Sequence, residues 1–329
     1  MTTARTIKHG VETHVIMASD LPARETAGDE RQEATGEDSD AMTAERQQDW
    51  FHRIQMARQL IESRLAEDIP LDELAAAVHS SPFHFHRMFR GMTGETVRDY
   101  SRRLRLERAA QHLIHSDADI LTIALDVGYD SHEAFTRAFK RHFGVAPSVF
   151  RSEKRDVTQH AGDDSMTTVL DVHIERHEAK RIAYVRHVGP YSTVSEAWKA
   201  IMKWGWSKML FGKAETFGLC FDDPDVTPAE RLRYEACMVV GDRVRPKNPV
   251  AIRTIPATTY AVTIHHGGFD TISATYARLC AHVCREPIEG LRWQLSDPPS
   301  MERYLRDPRK VAPEEMRTEI LMPVARSQA

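Results

Sequence analysis

Two stretches about 50 residues apart carry the side chains best suited to touching nucleic acid. In SSPFHFHRMFRGMTG (80–94), Phe85 and Phe89 stand four apart, so one helix face holds both. With that pair turned inward, Phe83, His86, Arg87 and Arg90 point outward. Over 131–142, Phe135 and Phe139 repeat the spacing, and His132, Glu133, Thr136, Arg137 and Lys140 form the outward set. These residue types bond base edges and phosphates: phosphate contacts position a reader, and base-edge contacts specify sequence.

The flanking elements repeat as well. LDELAAAV (71–78) and ILTIALDV (120–127) align at an offset of 49, matching Leu71/Ile120, Leu74/Ile123, Ala75/Ala124 and Val78/Val127. After one inserted residue the match runs on through Phe85/Phe135, Phe89/Phe139, Gly94/Gly144 and Tyr100/Phe150. Each unit reads as a short helix, a tight turn and a second helix, the helix-turn-helix layout. Ser81 before Pro82, and Ser131 in the second copy, are expected helix caps. Between the units, residues 96–115 lack Gly and Pro and read as one helix of ~30 Å. One turn of B-DNA is ~34 Å, so such a spacer suits two readers in successive major grooves. Upstream, Ile54, Ala57, Ile61 and Leu65 form an apolar stripe and predict a helix over 48–66. Arg98, Arg102, Arg103, Arg105 and Arg108 on the spacer suit either phosphate contact or a solvated face.

Composition sets the frame. The chain has 329 residues, 41% hydrophobic and 28% charged, with 44 basic against 48 acidic residues. A net charge of −4 excludes a polybasic protein but not a local DNA-binding patch. Four cysteines, Cys220, Cys237, Cys280 and Cys284, are too few for a disulfide scaffold. No stretch approaches the ~20 apolar residues of a membrane helix, and no signal-peptide core opens the chain, so a cytoplasmic protein is expected. Residues 1–47 are acidic and poor in large apolar groups, and read as a disordered leader, with Met42 a second candidate start. The polar run at 152–166 lacks periodicity and reads as a linker. The expected division is a leader (1–47), an all-α domain (48–152), a linker (153–166) and a further domain (167–325).

At this point residues 50–151 resemble the DNA-binding domain of the AraC/XylS family of transcription regulators. SSPFHFHRMFRGMTG is similar to the family's first reader and VGYDSHEAFTRAFKRHFGVAPSVFR to its second. Val97 stands where the family more usually has Pro, whereas Pro147 is kept. The resemblance implies double-stranded DNA and RNA polymerase as partners.

The second domain repeats at an offset of 78. AYVRHVGPYSTVSEAW (183–198) aligns with AVTIHHGGFDTISATY (261–276), pairing His187/His265, Gly189/Gly267, Tyr191/Phe269 and Trp198/Tyr276. Each copy reads as strand, helix, strand, strand, which gives an α+β domain with helices on one side of the sheet. Residues 168–325 resemble the GyrI-like small-molecule-binding domain, through HVGPYSTV, FDDPDVTPAERLRYEACMVV, MERYLRDP and TEILMPV. That resemblance implies a strand glutamate in an aromatic cleft, and the MERYLRDP match makes it Glu302. Glu235 is assigned to an equivalent first-half strand, and Tyr191, Trp206, Tyr234 and Tyr304 are candidate walls. Trp198, Trp204 and Trp293 read as core. A carboxylate among aromatic faces suits a lipophilic cation as effector. Alternation puts Glu302 and Tyr304 on one face of their strand.

The rival reading is a hydrolase, or a ligand-sequestering protein, in which Glu235 and Glu302 act as a pair with cleft tyrosines. No nucleophile elbow or phosphate loop supports an enzyme. Cys280 and Cys284 lack a second ligand pair, and neither His84/His86 nor His265/His266 shares a face, so no metal or cofactor is expected.

Overall fold

The computed structural model describes residues 36–163, 170–208, 210, 214–297, 299–308 and 310–327. The leader assigned to 1–47 therefore lies largely outside the described residues. Its last part does not: α1 (Gly36–Ser63) is already helical at Gly36, well before the expected start at 48. Neither Gly nor Pro falls between that start and Ser63, so nothing in the run breaks the helix.

From Glu45 onward the chain forms one compact unit. Its helical part comprises α2 (Leu71–Ala77), α3 (Pro82–Thr93), α4 (Val97–His115), α5 (Ile120–Asp126), α6 (His132–Phe143) and α7 (Pro147–Asp163). The caps fall where the residue types require them. Ser81 and Ser131 accept from the backbone N–H groups of His84 and Ala134, and Gly94 and Gly144 close α3 and α6 in the left-handed conformation. The spacer helix α4 splits its apolar face between two cores. Tyr100 and Leu104 pack with Ile54, Ile61, Leu74, Phe85 and Phe89. Leu106, Ala109, Ala110 and Leu113 pack with Ile123, Ala124, Phe135, Phe139 and Phe150.

The segment read as a linker from 152 stays helical through Asp163. Arg155 on α7 explains why: its guanidinium caps the end of α4, donating to the Leu113, Ile114 and Ser116 carbonyls and pairing with Asp117. Orphan carbonyls at a helix end are thereby satisfied by the next helix.

The C-terminal part is a nine-stranded antiparallel sheet of β1 (His173–His177), β2 (Lys180–Val188), β3 (Thr216–Cys220), β4 (Arg233–Val239), β5 (Ala251–Ile255), β6 (Thr258–His266), β7 (Trp293–Leu295), β8 (Ser300–Tyr304) and β9 (Arg317–Arg326). Read inward from its edges it runs β5-β2-β4-β3 and β1-β6-β9-β8, meeting where β3 pairs β8; β7 adds to β9. Helices α8 (Ser195–Ser207) and α9 (Ile272–Arg285) cover one face, over cores built on Ala183, Ile201, Ala236 and Met238, and on Ala261, Leu279, Val283 and Ile320. The opposite face holds Ile182, Tyr184, Phe217, Leu219, Tyr260, Val262, Met301 and Leu321, with Phe51 of α1 packed against it. Both faces of the sheet are thus used, one by its own helices and one by the helical module.

Candidate functional site

On α3, residues 82–90 run exposed, exposed, half-buried, buried, half-buried, exposed, half-buried, buried, exposed; 132–140 on α6 repeat that order. Phe85 and Phe89 on α3, and Phe135 and Phe139 on α6, are fully buried, which turns the opposite stripe to solvent. Phe83 (78% exposed), Arg87 and Arg90 form that stripe on α3, and His132, Glu133, Arg137 and Lys140 on α6. Arg87 leans over the Phe83 ring and contacts His84 at 3.4 Å. Glu133 sits at the start of α6, where backbone N–H and Ser131 hold its carboxyl below the usual range. Two assigned residues fit less well: His86 is half-buried, and Thr136 keeps its hydroxyl covered without a hydrogen-bond partner.

Most of the spacer-helix arginines turn out to hold the fold together. Arg103 is buried between Glu95 (2.8 Å) and Glu107 (3.0 Å). Arg105 donates to the Leu65, Glu67 and Gly128 carbonyls, tying α1 to the second unit. Arg108 faces Asp297, and Arg102 pairs with Asp99. Arg98 stays exposed.

In the sheet domain, Glu302 on β8 lies under the helices and is 7% exposed. Its carboxylate accepts from Tyr276 Oη (3.0 Å) and Tyr304 Oη (2.8 Å). Tyr304 Oη meets Tyr234 Oη at 2.8 Å, and Trp198 Nε1 donates to Tyr234 Oη at 2.9 Å. Trp198 and Phe269 each pack edge-on against Tyr304, and Tyr191 against Tyr234. Burial pushes the Glu302 carboxyl up, against the lowering effect of hydrogen bonds from Tyr304, Tyr276 and the Cys220 thiol. Burial also raises the four tyrosines well above their ordinary value. Among the described residues no arginine or lysine pairs with Glu302. A glycine makes room for this cluster: Gly218 on β3 stands opposite Glu302, and a Cβ there would come within 2.1 Å of Tyr234 Oη.

Two assigned residues are not in the cluster. Glu235 lies on the opposite face of the sheet, because β4 alternates: Tyr234 and Ala236 face the helices, whereas Glu235 faces the helical module. There it is fully buried between Arg186 (2.9 Å) and Arg253 (2.5 Å). It therefore cannot form a carboxylate pair with Glu302, and β8 pairs with β3 and β9, not with β4. Trp206 is 63% exposed near the end of α8. Trp198, about two turns earlier, packs in the cluster. Two clefts, of about 480 and 420 Å3, open between helical module and sheet; neither borders Glu302.

Residues 170–325 match the GyrI-like small molecule binding domain, and residues 74–153 match a helix-turn-helix domain model. The chain is similar to the HTH-type transcriptional regulator YbfP of Bacillus subtilis (strain 168), 39% identical over 98 residues, 30% of this chain and 33% of the relative. It thus spans about a third of that relative's length. It is also 41% identical over 85 residues to the Proteus vulgaris protein named "Probable transcription factor PqrA", covering 26% of this chain and 70% of that one. The chain belongs to the AraC family of transcription regulators. A solved AraC-type regulator from Chromobacterium violaceum is 28% identical, covers 31% of this chain and 91% of its own, and has a TM-score of 0.30.

In this AraC-family chain, the residues of the Glu302 cluster that the sequence reading missed are Trp198, Tyr276, Cys220 and Phe269. The signal was present for three of them: the 78-residue repeat pairs Trp198 with Tyr276 and Tyr191 with Phe269, and all four rings enter the cluster. Cys220 left no comparable signal. Cys280 is buried, while Cys284 is exposed and contacts the His115 carbonyl. Among the described residues no group of three or more His, Cys, Asp and Glu side chains is placed to hold a metal ion, and no helix is long and apolar enough to cross a membrane.

Proposed function

We propose that this chain is a one-component regulator of transcription: α3 and α6 read two successive major grooves, and the Glu302 cluster binds a small lipophilic cation. The observation that carries the ligand half is the contrast between two buried glutamates. Glu235 is neutralised by two arginines, whereas Glu302 is held by two phenols and a thiol, with no described arginine or lysine beside it and only the His265 imidazole acting on it through space. A buried carboxylate without a counter-charge is costly, and a cation entering among aromatic faces would supply that charge. The probe of choice is tetraphenylphosphonium, whose charge does not titrate. Glu302→Gln keeps the shape and removes the charge, and is expected to bind it at least ~10-fold more weakly, about 1.4 kcal/mol. Wild-type affinity should fall as pH drops through the raised Glu302 value, because protonation removes the anion, and the Gln variant should show no such slope. Equal binding by both proteins at all pH values would refute the pocket assignment.

For the DNA half, the support is the family and the matched exposure pattern of the two readers, held apart by the 19-residue α4, ~29 Å long. Arg87 and Arg137 occupy the same place in each stripe. Arginine bonds guanine bidentately, at ~1–3 kcal/mol of discrimination. Alanine at either is therefore expected to relax sequence preference at one half of the site and leave the other intact. Selection from a random duplex pool measures this; uniform weakening across sequences would mark both as phosphate contacts instead.

We also read the sheet domain as two copies of one unit, β2-α8-β3-β4 and β6-α9-β8-β9, supported by the 78-residue repeat and the matching strand order from each edge. The proposed division is a reader module over 48–152, a ligand domain over 167–325 and a connection through α7. A regulator of this design acts in the cytoplasm on RNA polymerase, with the ligand shifting the population of competent states.

A further inference from the structure

A three-residue corner joins the Glu302 cluster to the helical module. The corner is Cys220-Phe221-Asp222, where the chain leaves β3. Cys220 belongs to the cluster: its carbonyl accepts from Ser300 Oγ (3.3 Å), and its thiol acts on the Glu302 carboxyl. Phe221 points to the other side of the sheet, where three guanidiniums gather over its ring: Arg186 at 5.0 Å, Arg233 at 5.4 Å and Arg253 at 5.7 Å. Asp222 is held from both sides. Its backbone carbonyl accepts from Tyr191 Oη of the cluster at 2.6 Å. Its carboxylate grips Arg233 through Nη2 (2.6 Å), Nε (2.9 Å) and the backbone N–H (2.7 Å).

Arg233 and Arg186 then reach out of the sheet domain to one residue of the helical module, Glu62 on α1. Arg186 bonds it with both terminal nitrogens, at 2.7 and 2.9 Å, and Arg233 adds a contact at 3.4 Å. Tyr100 of the spacer helix donates to the same carboxylate at 2.5 Å. The path from cluster to spacer helix is therefore a chain of direct bonds: Tyr191, Asp222, Arg233, Glu62, Tyr100. Asp222, Arg233, Glu62 and Tyr100 on it are each more than four-fifths buried, so solvent screening among them is weak. Buried ion pairs that share partners hold discrete arrangements, as a two-state coupling element must.

We propose that the Cys220–Asp222 corner transmits ligand occupancy of the Glu302 cluster to the DNA-reading module, by setting the grip of Arg233 and Arg186 on Glu62. The inference rests on the reading of that cluster as a ligand pocket. A ligand that displaces the Tyr191 ring or draws on Cys220 moves the Asp222 backbone and with it the carboxylate that orients Arg233. The module then loses or gains the clamp at Glu62, and the setting of α4 between the two readers changes with it.

The test uses the full chain, tetraphenylphosphonium and a duplex selected by the wild-type protein from a random pool. The quantity read is the ratio of DNA Kd values with and without saturating probe. For wild type this ratio is expected to differ from one by at least ~5-fold. Tyr191→Phe removes only the hydroxyl that holds Asp222, and Glu62→Gln removes the charge at the far end. Each is expected to bring the ratio within about twofold of one; the Tyr191→Phe ratio is read at probe concentrations that saturate that variant, and the probe Kd of Glu62→Gln, which lies outside the cluster, stays within about threefold of wild type. Should Glu62→Gln fail to fold, Tyr191→Phe alone decides. Asp297→Asn is the control, because it cuts a different contact between the parts, with His112 (3.0 Å) and Arg108; its ratio should remain that of wild type. An undiminished ratio in Tyr191→Phe, a ratio of one in wild type despite bound probe, or an equal loss in Asp297→Asn each overturns the proposal. Failure of wild type to bind the probe overturns instead the ligand-pocket reading beneath it.

Discussion

Glu235→Ala is expected to cost about 3–5 kcal/mol of folding stability, the usual penalty for breaking a buried ion pair by removing one partner. Three guanidiniums, Arg186, Arg233 and Arg253, pair with three carboxylates, Glu62, Asp222 and Glu235, and Arg58 and Glu107 act on the same group through space. Without Glu235, Arg186 keeps Glu62, but Arg253 keeps only the rings of Tyr184 and Phe221 among its described partners. Its Nε is already buried without a hydrogen bond. Urea unfolding followed by circular dichroism gives the number. A useful comparison is Glu196→Ala, which breaks the exposed Lys199 pair and should cost no more than ~0.5 kcal/mol. If Glu235→Ala costs less than ~1 kcal/mol, the network adapts or hydrates, and it cannot be a stiff connection between the parts.

Gly128→Ala should be nearly as damaging to the second reader. Gly128 has φ +84°, and a Cβ there would fall 2.1 Å from the Ala66 carbonyl oxygen and 2.8 Å from its carbon. Both are backbone atoms at the end of the α1 segment, which Arg105 also pins by its bonds to Leu65 and Glu67. A left-handed residue with a Cβ costs ~1–2 kcal/mol, and overpacking adds ~1–3. The expected loss is therefore about 3 kcal/mol, with DNA preference degraded at the half-site read by α6. The aligned position of the first unit is His79, which tolerates φ +52° on an exposed turn. His79→Ala is accordingly expected to stay within ~1 kcal/mol. Equal effects at the two positions would show that the Ala66 contact yields.

The helical module was readable because its determinants are local. Phe85/Phe89 and Phe135/Phe139 declare a buried face by spacing alone, and Ser81, Ser131, Gly94 and Gly144 mark ends by capping chemistry. The reach of α7 was not readable, since Arg155 stabilises it through carbonyls some forty residues away. In the sheet domain, alternation gave two faces to each strand but not which face meets which layer. Glu302 and Tyr304 were grouped correctly on one strand, while Glu235 was joined to them across strands and fell on the wrong side. With apolar partners on both faces of β4, only tertiary contact distinguishes them. Trp198 shows the converse. An aromatic at a packed helix position reads as core, and here it is packed, yet its indole N–H completes the hydrogen-bonded ring set around Tyr234.

The pairing of the edge strands bears on how the chain acquires its shape during synthesis. β1 does not pair with β2, its neighbour in sequence, but with β6, where His173 meets Val262; β5 crosses the other way to pair with β2. β9, made after every other described strand, sits between β6 and β8 inside the sheet. A nascent chain that has emerged only as far as β5 can therefore build β3, β4, β2 and β5, while β1 waits for a partner still inside the ribosome. The helical module has no such wait, because its contacts are short-range and its first core closes once Leu104 has appeared. Contacts of long sequence separation form slowly. On the function proposed above, the first reader would thus complete its core before the ligand domain forms, and in that interval no effector could address it.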